Sequence, residues 1–280
     1  MKILLGYHIW CRADMLAYLL DGIVENFDPG NTELAFVLDA PKDGTDQAFE
    51  HMESFWLEHR GFKFYPYDLG YETAPRKPFK YTVFKPDKEV REVGGHNILL
   101  RHFVERTDCD VLVAPQDDER FNRPIHAEVQ RVLEAYGPSL GIIGSRDGYS
   151  VRGEPNLASS FWSRSEAPLP DRRTWLKHGE FVERDHMNSG PISYPRHVVG
   201  RVGYLDEGFT AWCVWEDYGQ RCVDAGLKNV VLGLDVTHAQ FGRKQHSWFY
   251  DAVDGKPYGY TGRDDQRYRD KHDPKDPPPK

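Results

Sequence analysis

Residues Asp110–Phe121 read DVLVAPQDDERF, and the organisation of the chain follows from this stretch. Val111–Ala114 is an uninterrupted apolar run, the pattern of a strand buried on both faces. Pro115 has no N–H to give a central ladder, so the strand stops there. Gln116, Asp117, Asp118 and Glu119 therefore stand just past a strand's C-terminal end, where open α/β sheets bind their ligands. Three consecutive acids at such a place repel one another unless a cation, a hydrogen-bonding sugar or water offsets them. Oxygen-rich clusters of this kind suit Mg2+ or Mn2+ carrying substrate phosphates. An acidic surface turn has the same sequence, so the cluster alone does not define a chemistry.

Upstream, Lys2–Tyr7 reads as a strand. Asp14 is placed to cap a helix in which Met15, Leu19, Leu20 and Ile23 recur at helical spacing until Pro29-Gly30. Glu33–Leu38 is a second strand, closing on Asp39. Thr45 is placed to cap a helix carrying Phe49, Met52 and Trp56 on one face, and Phe62–Tyr67 reads as a third strand. This β-α-β-α-β succession predicts an α/β fold, a Rossmann-like doubly wound mixed sheet flanked by helices. Residues 70–93 break the rhythm with Pro, Tyr and Lys. They form either a solvated excursion or a loop facing phosphate or acceptor. Gly94-Gly95-His96-Asn97 then opens a helix that delivers the chain to Val111.

Downstream, Asn122 and Pro124 begin a helix with Ile125, Val129, Val132 and Leu133 inward, ended by Gly137-Pro138. Leu140–Gly144 is a strand, and 145–180 is irregular, as long functional loops are. Phe181–Tyr194 reads as extended, Pro195–Val199 as a short helix, and Val230–Leu234 as a last strand leading to His238. The expected organisation is one domain over 1–250. Residues 1–119 form its nucleotide-binding half and 120–250 its acceptor and catalytic half. A polar, Pro-rich tail, 251–280, ends in DPKDPPPK.

The chain has 280 residues, 39% of them hydrophobic and 13% aromatic, enough for a sizeable core. A net charge of −8, from 36 basic and 44 acidic residues, argues against non-specific binding to polyanions. The 4 cysteines form no CxxC pair. The N-terminus turns polar too soon for a signal peptide, and no apolar run reaches the length of a membrane span. A soluble, reducing, cytoplasmic setting is expected.

A second acidic centre lies in Val202–Gly226, VGYLDEGFTAWCVWEDYGQRCVDAG. Glu216-Asp217 falls where a helix begins, so its carboxylates meet free N–H groups and the positive end of the dipole. Arg221 follows Asp217 one turn later on the same face. Such a carboxylate serves either as a general base or metal-facing anion, or as a plain capping acid with an intrahelical partner.

Taken together these motifs resemble glycosyltransferases of the GT-A fold, closest to the large inverting family 2, over residues 1–240. YPRHVVGRVGYLDEGFTAWCVWEDYGQRCVDAGL looks like that family's C-terminal pattern, in which Gly-x-x-Asp-Glu-x-Phe precedes the Glu-Asp pair and an Arg-bearing helix. QDDE after a buried strand looks like the metal-binding Asp-x-Asp element. GGHN resembles the Gly/Asn stretch opening the preceding helix. Asp39 matches an acid that contacts the nucleotide base or ribose, and Thr237-His238 the late His that completes the metal site. Two features depart from the pattern. Gln116 replaces the first acid of Asp-x-Asp, which leaves open whether Asp117 or Asp118 is the main ligand and whether metal is required. APKDGT replaces the commoner turn after Asp39.

The resemblance implies a nucleoside diphosphate sugar donor, UDP-linked in most such families, and a divalent cation, Mn2+ or Mg2+. Asp118 and His238 would hold the cation, with Asp117, Asp39 and Asn97 lining the donor site. Asp217 would deprotonate the acceptor hydroxyl with inversion, and Glu216 would hydrogen-bond donor or acceptor. Trp215 and Trp212 would stack on a sugar, and Arg221 would orient Asp217 or meet a phosphate. His246 and Trp248 would form a lid. The acceptor stays open among glycan, small molecule, protein and modified nucleic acid. Two rivals remain. A nucleotidyltransferase would carry a Gly-rich basic loop after the first strand, where GYHIWCRAD has one Gly and one Arg. A catalytically silent sugar- or nucleotide-binding protein on the same fold is kept alive by Gln116.

Overall fold

The computed structural model describes residues 1–10, 12–13, 15–39, 43–53, 78–145, 156–158, 160–162, 173–185, 187, 190–210, 213–238 and 260–272. The elements run β1 (Ile3–Ile9), α1 (Leu16–Asn26), β2 (Thr32–Leu38), α2 (Thr45–Glu53), β3 (Lys80–Phe84), α3 (Arg91–Arg106), β4 (Val111–Ala114), β5 (Glu119–Phe121), α4 (His126–Tyr136) and β6 (Leu140–Gly144). They continue with β7 (Asn156–Ala158), β8 (Ser160–Trp162), β9 (Arg173–Trp175), β10 (Phe181–Glu183), β11 (Ile192–Pro195), α5 (Arg196–Val202), α6 (Val214–Asp224), β12 (Lys228–Leu232), β13 (Val236–His238) and α7 (Tyr260–His272).

Eight strands form one mixed sheet in the order β10-β12-β6-β11-β4-β1-β2-β3. β1 runs parallel to β2 and β4, β3 parallel to β2, and β12 parallel to β6. β11 is wedged antiparallel between β4 and β6, and β10 lies antiparallel on the outer edge. From β1 the chain builds outward to β2 and β3, then crosses back to β4. That reversal is the switch point at which such sheets open a ligand crevice.

Alternation along the strands splits the core into two layers. Ile3, Leu5, Tyr7 and Ile9, with Leu34, Phe36, Val111 and Val113, pack against α1, α2 and α4. Leu4, Val37, Leu112, Ile142 and Val231 face α3, α5 and α6 through Leu99, Phe103, Val198, Trp215 and Tyr218. Burying one such side chain contributes about 1.5–3 kcal/mol, and a charge at Leu4 would break the second layer.

Several elements differ from expectation. The third parallel strand is Lys80–Phe84, inside the stretch read as an excursion, while Phe62–Tyr67, Trp56 and Gly61 lie outside the described residues. β3 is an edge strand whose residues are only partly buried, so its apolar pattern is weak, and lysines suit such an edge. α1 begins after Met15, which makes no side-chain cap bond, and Asp14 lies outside the described residues. Thr45 is the first residue of α2, and Asp43 Oδ1 accepts its N–H at 3.0 Å. Short strands β7, β8 and β9 occur within 145–180, and the extended 181–194 segment divides between a sheet edge and the sheet centre.

The largest difference is α7, which occupies part of the supposed tail. YTGRDDQRYRDKH contains no aliphatic residue to mark a buried stripe, and its helix is held by polar contacts with the loop before α6. Among the described residues no helix is long and apolar enough to cross a membrane.

Candidate functional site

The small sheet β5-β13-β8 builds the first part of the site. β13 pairs antiparallel with β5 so that His238 faces Glu119 across the ladder, one residue from Asp118. This register brings His238 Nε2 to 3.0 Å from Asp118 Oδ1, both side chains almost wholly buried. The two residues expected to share a metal are thus adjacent. Asp117, next to them, accepts the Trp10 N–H at 3.2 Å, bridging the ends of β1 and β4 at the switch point.

Glu92, which sequence reasoning passed over, joins this cluster from the first turn of α3. Burial, then the charge of Asp117, pushes it up to about 8, with Asp118 and Glu119 adding to the shift and a hydrogen bond with Gln116 opposing it. Asp117 is raised for the same reasons, burial first and Asp118 second, while Arg12, the Trp10 N–H and His8 act against the shift. Burial and the neighbouring carboxylates thus favour the protonated form of Glu92. A divalent cation held by Asp118 and His238 would offset the excess negative charge, so the oxygen and imidazole donors present fit Mn2+ or Mg2+. Another acidic group, Glu33, Asp108 and Cys109, has donor atoms within 4.8 Å of one another. It lies at the opposite strand ends, and Lys2 and Lys80 already neutralise its carboxylates at 2.5 and 2.8 Å.

Asp39 is buried at the end of β2. Its carboxylate accepts the N–H of Val90 at 2.7 Å and of Arg91 at 2.8 Å, and His8 Nε2 lies 3.0 Å away. Burial opposes its ionisation, yet His8 and these two N–H groups hold it below the ordinary carboxylate range. Asp39 thereby caps α3, which is why the helix starts at Arg91 rather than at Gly94. Arg91 has a φ of 59°, a left-handed conformation that these bonds sustain. Gly95 leaves room for the His8 ring, since a Cβ there would lie 2.1 Å from His8 Cδ2. Beside it His96 is held neutral, pushed down to about 3 by burial and then by His8.

Asn97 acts as a clip between α3 and the loop before α6. Its Nδ2 donates to the Leu205 carbonyl and to Glu207 Oε1, both at 3.0 Å, and its Oδ1 accepts the Leu205 N–H at 2.9 Å. The clip fixes the loop that leads into α6.

Asp217 sits in the first turn of α6 with a side chain 0% exposed. Arg221 Nε reaches its Oδ2 at 2.9 Å, while the guanidinium also bonds the carbonyls of Val202 at 3.1 Å and Tyr204 at 3.0 Å. Of the two roles expected for Arg221, the geometry provides the orientation of Asp217. Lys271 Nζ and His272 Nε2 from α7 meet Oδ1 at 2.6 and 2.7 Å. Both residues escaped sequence reasoning because the segment looked like a tail. Glu216 is half-buried beside Asp217. Trp215, expected to stack on a sugar, is 4% exposed and packs in the core, its ring T-shaped to His96. Trp212, His246 and Trp248 lie outside the described residues. Cys213, which precedes α6, has a φ of 58°. Non-glycine left-handed residues therefore introduce both helices that flank the site.

A cleft of about 400 Å³ opens between the start of α3 and the loop before α6, lined by Val90, Arg91, Gly94, Glu207, Phe209 and Thr210.

Comparison with solved structures identifies the architecture. The mannosyltransferase PcManGT from Pyrobaculum calidifontis, in complex with GDP-Man and Mn2+, aligns with a TM-score of 0.57 at 14% identity over 89% of this chain and 59% of its own. GalNAc-T7 with UDP, GalNAc and Mn2+ aligns at 0.59 and 10% identity, over 85% and 44%. S. aureus TarS aligns at 0.53 and 10% identity, over 86% and 35%. The eight-stranded mixed sheet with helices on both faces is thus of the GT-A glycosyltransferase type. The chain spans only 35% to 59% of the lengths of these three proteins. No protein-family profile matches the sequence, and no curated protein does.

Proposed function

We propose that this chain is a glycosyltransferase that moves a sugar from a nucleoside diphosphate sugar, UDP-linked, to an acceptor hydroxyl, with inversion. The observation that carries the reading is the meeting of Asp118 and His238 at the strand ends, in a sheet whose structural neighbours were solved with nucleotides and Mn2+. Asp118 and His238 are the residues that would hold Mn2+ or Mg2+, with Asp117 alongside. Bound there, the ion supplies Lewis-acid neutralisation of the leaving diphosphate. Asp39, with His8, shapes the nucleoside end of the crevice, and Arg221 orients Asp217. Asp217 takes the proton of the acceptor hydroxyl, a role typically worth about 10²–10⁴-fold in rate, and Glu216 hydrogen-bonds donor or acceptor. A cytoplasmic location is part of the same reading.

The test is a calorimetric titration of UDP, GDP, TDP and CMP with and without Mn2+. Micromolar binding of one nucleotide, lost on chelation or in Asp118→Ala, is expected. Binding by none of them to the folded protein would leave only a borrowed fold. A second reading, nucleotide-sugar binding without transfer, is favoured by one observation, the complete burial of Asp217 beneath Arg221, Lys271 and His272.

A further inference from the structure

The assignment of Asp217 as base, on which this inference rests, needs one carboxylate oxygen within about 2.6–3.2 Å of the acceptor hydroxyl. Neither oxygen is open. Oδ2 carries Arg221 Nε at 2.9 Å, and Oδ1 carries Lys271 Nζ at 2.6 Å together with His272 Nε2 at 2.7 Å. These donors differ in how firmly they belong to the site. Arg221 is part of α6 and is pinned by the carbonyls of Val202 and Tyr204, so its place does not depend on α7.

Lys271 and His272 arrive on α7, whose described anchors converge on the loop before α6. Asp264 Oδ2 accepts the Thr210 N–H at 3.0 Å. Arg267 Nη2 lies 2.9 and 3.0 Å from the two oxygens of Asp206, and Lys271 Nζ lies 2.9 Å from the second of them. The Arg267 and Lys271 cations sit 5.3 and 5.8 Å from the centre of the Phe209 ring. Partly exposed ion pairs of this kind contribute little individually and are screened by salt. The outer fastening of the last turn, at Asp206, is therefore made of contacts that can be exchanged for water and counter-ions, whereas its inner contacts reach the interior: Lys271 and His272 meet the buried Asp217, and Tyr268 packs against the core.

We infer that the last turn of α7 fills the acceptor-hydroxyl subsite, with His272 Nε2 and Lys271 Nζ standing on Asp217 Oδ1 where the acceptor O–H must stand. α7 acts as an internal competitor, and the acceptor enters as this turn withdraws. The ligand of the subsite is a neutral hydroxyl, of which water is the smallest. Once it is in place, its proton passes to Asp217 Oδ1. The acceptor oxygen then bonds to the anomeric carbon, and the bond from that carbon to the diphosphate oxygen breaks, its electron pair leaving with the diphosphate.

Water serves as the probe acceptor, read as nucleoside diphosphate release from UDP-glucose and GDP-mannose with Mn2+. Lys271→Ala/His272→Ala is expected to release diphosphate about tenfold faster than the unaltered chain, as when a state occupied about ten to one is emptied. Adding Asp217→Asn should abolish the gain. Release equal to or slower than that of the unaltered chain, with nucleotide affinity retained, overturns the inference, because α7 then completes the site instead of filling it. Faster release that survives Asp217→Asn leaves α7 mobile but removes Asp217 as base, which separates the two failures. The unaltered chain gives a reading independent of variant folding. Raising salt from about 0.05 to 0.5 M should increase hydrogen exchange at 264–272 and diphosphate release together. Exchange that does not change overturns the withdrawal of α7.

Discussion

Asp206→Asn isolates the anchoring of α7 from the chemistry beneath it. Burial works against the ionised Asp206, but the Gly208 N–H, Lys271 and Arg267 outweigh it and pull the carboxyl down to about 2 from an ordinary 3.8. That gap corresponds to roughly 2 kcal/mol of stabilisation at neutral pH. Because the side chain is 22% exposed, solvent screening leaves about 1–2 kcal/mol. A depressed carboxylate contributes above its unfolded value and loses the contribution as pH falls through its folded one. The stabilisation is therefore complete at pH 7 and disappears between about pH 4 and 2. The Gly208 N–H belongs to the loop before α6, so the share supplied by Lys271 and Arg267 is the part lost on opening of α7. Amide exchange at 264–272 should accelerate by a factor of about 5–30 at pH 7, and the difference from the unaltered chain should shrink below pH 3. Equal exchange at neutral pH, or a difference that persists undiminished in acid, would refute the anchoring.

Two further substitutions test the scaffold. Gly95→Ala puts a Cβ 2.1 Å from His8 Cδ2, so the ring must leave Asp39; a loss of about 1–3 kcal/mol is expected from the denaturant midpoint. Asn97→Ala removes the partners of the Leu205 N–H and carbonyl and should cost about 1–3 kcal/mol in the same measurement. An unchanged midpoint would mean that water replaces the clip.

The sheet was legible wherever a strand is buried on both faces. Val111–Ala114 and Leu140–Gly144 have the boundaries that their apolar runs predict. Lys80–Phe84 was not legible, because an edge strand does not need a continuous apolar face. The encounter of Asp118 with His238 was expected through the family resemblance, which places a late His at the acidic cluster. The work done by Asn97 and Asp39 was not, since both satisfy backbone groups far away in sequence, Leu205 and Val90-Arg91. Glu92 gave no periodic signal, and its acidity matters only through neighbours brought in by β4. α7 escaped for a different reason. A helix that docks through Asp264, Arg267 and Lys271 has the composition of a tail until its partners Thr210 and Asp206 are seen.

The antiparallel strand at the centre of the sheet has a consequence for how the chain is made. β11 covers the open edge of β4, yet it leaves the ribosome about 80 residues after it. At synthesis rates of about 5–20 residues per second, the VLVA edge of β4 stays bare for roughly 4–16 seconds. A short apolar strand with an unpaired ladder is a template for pairing with other chains. A fragment ending near residue 119 would keep that edge permanently, so strands β1 to β4 depend on their late-arriving partner for solubility as well as for shape.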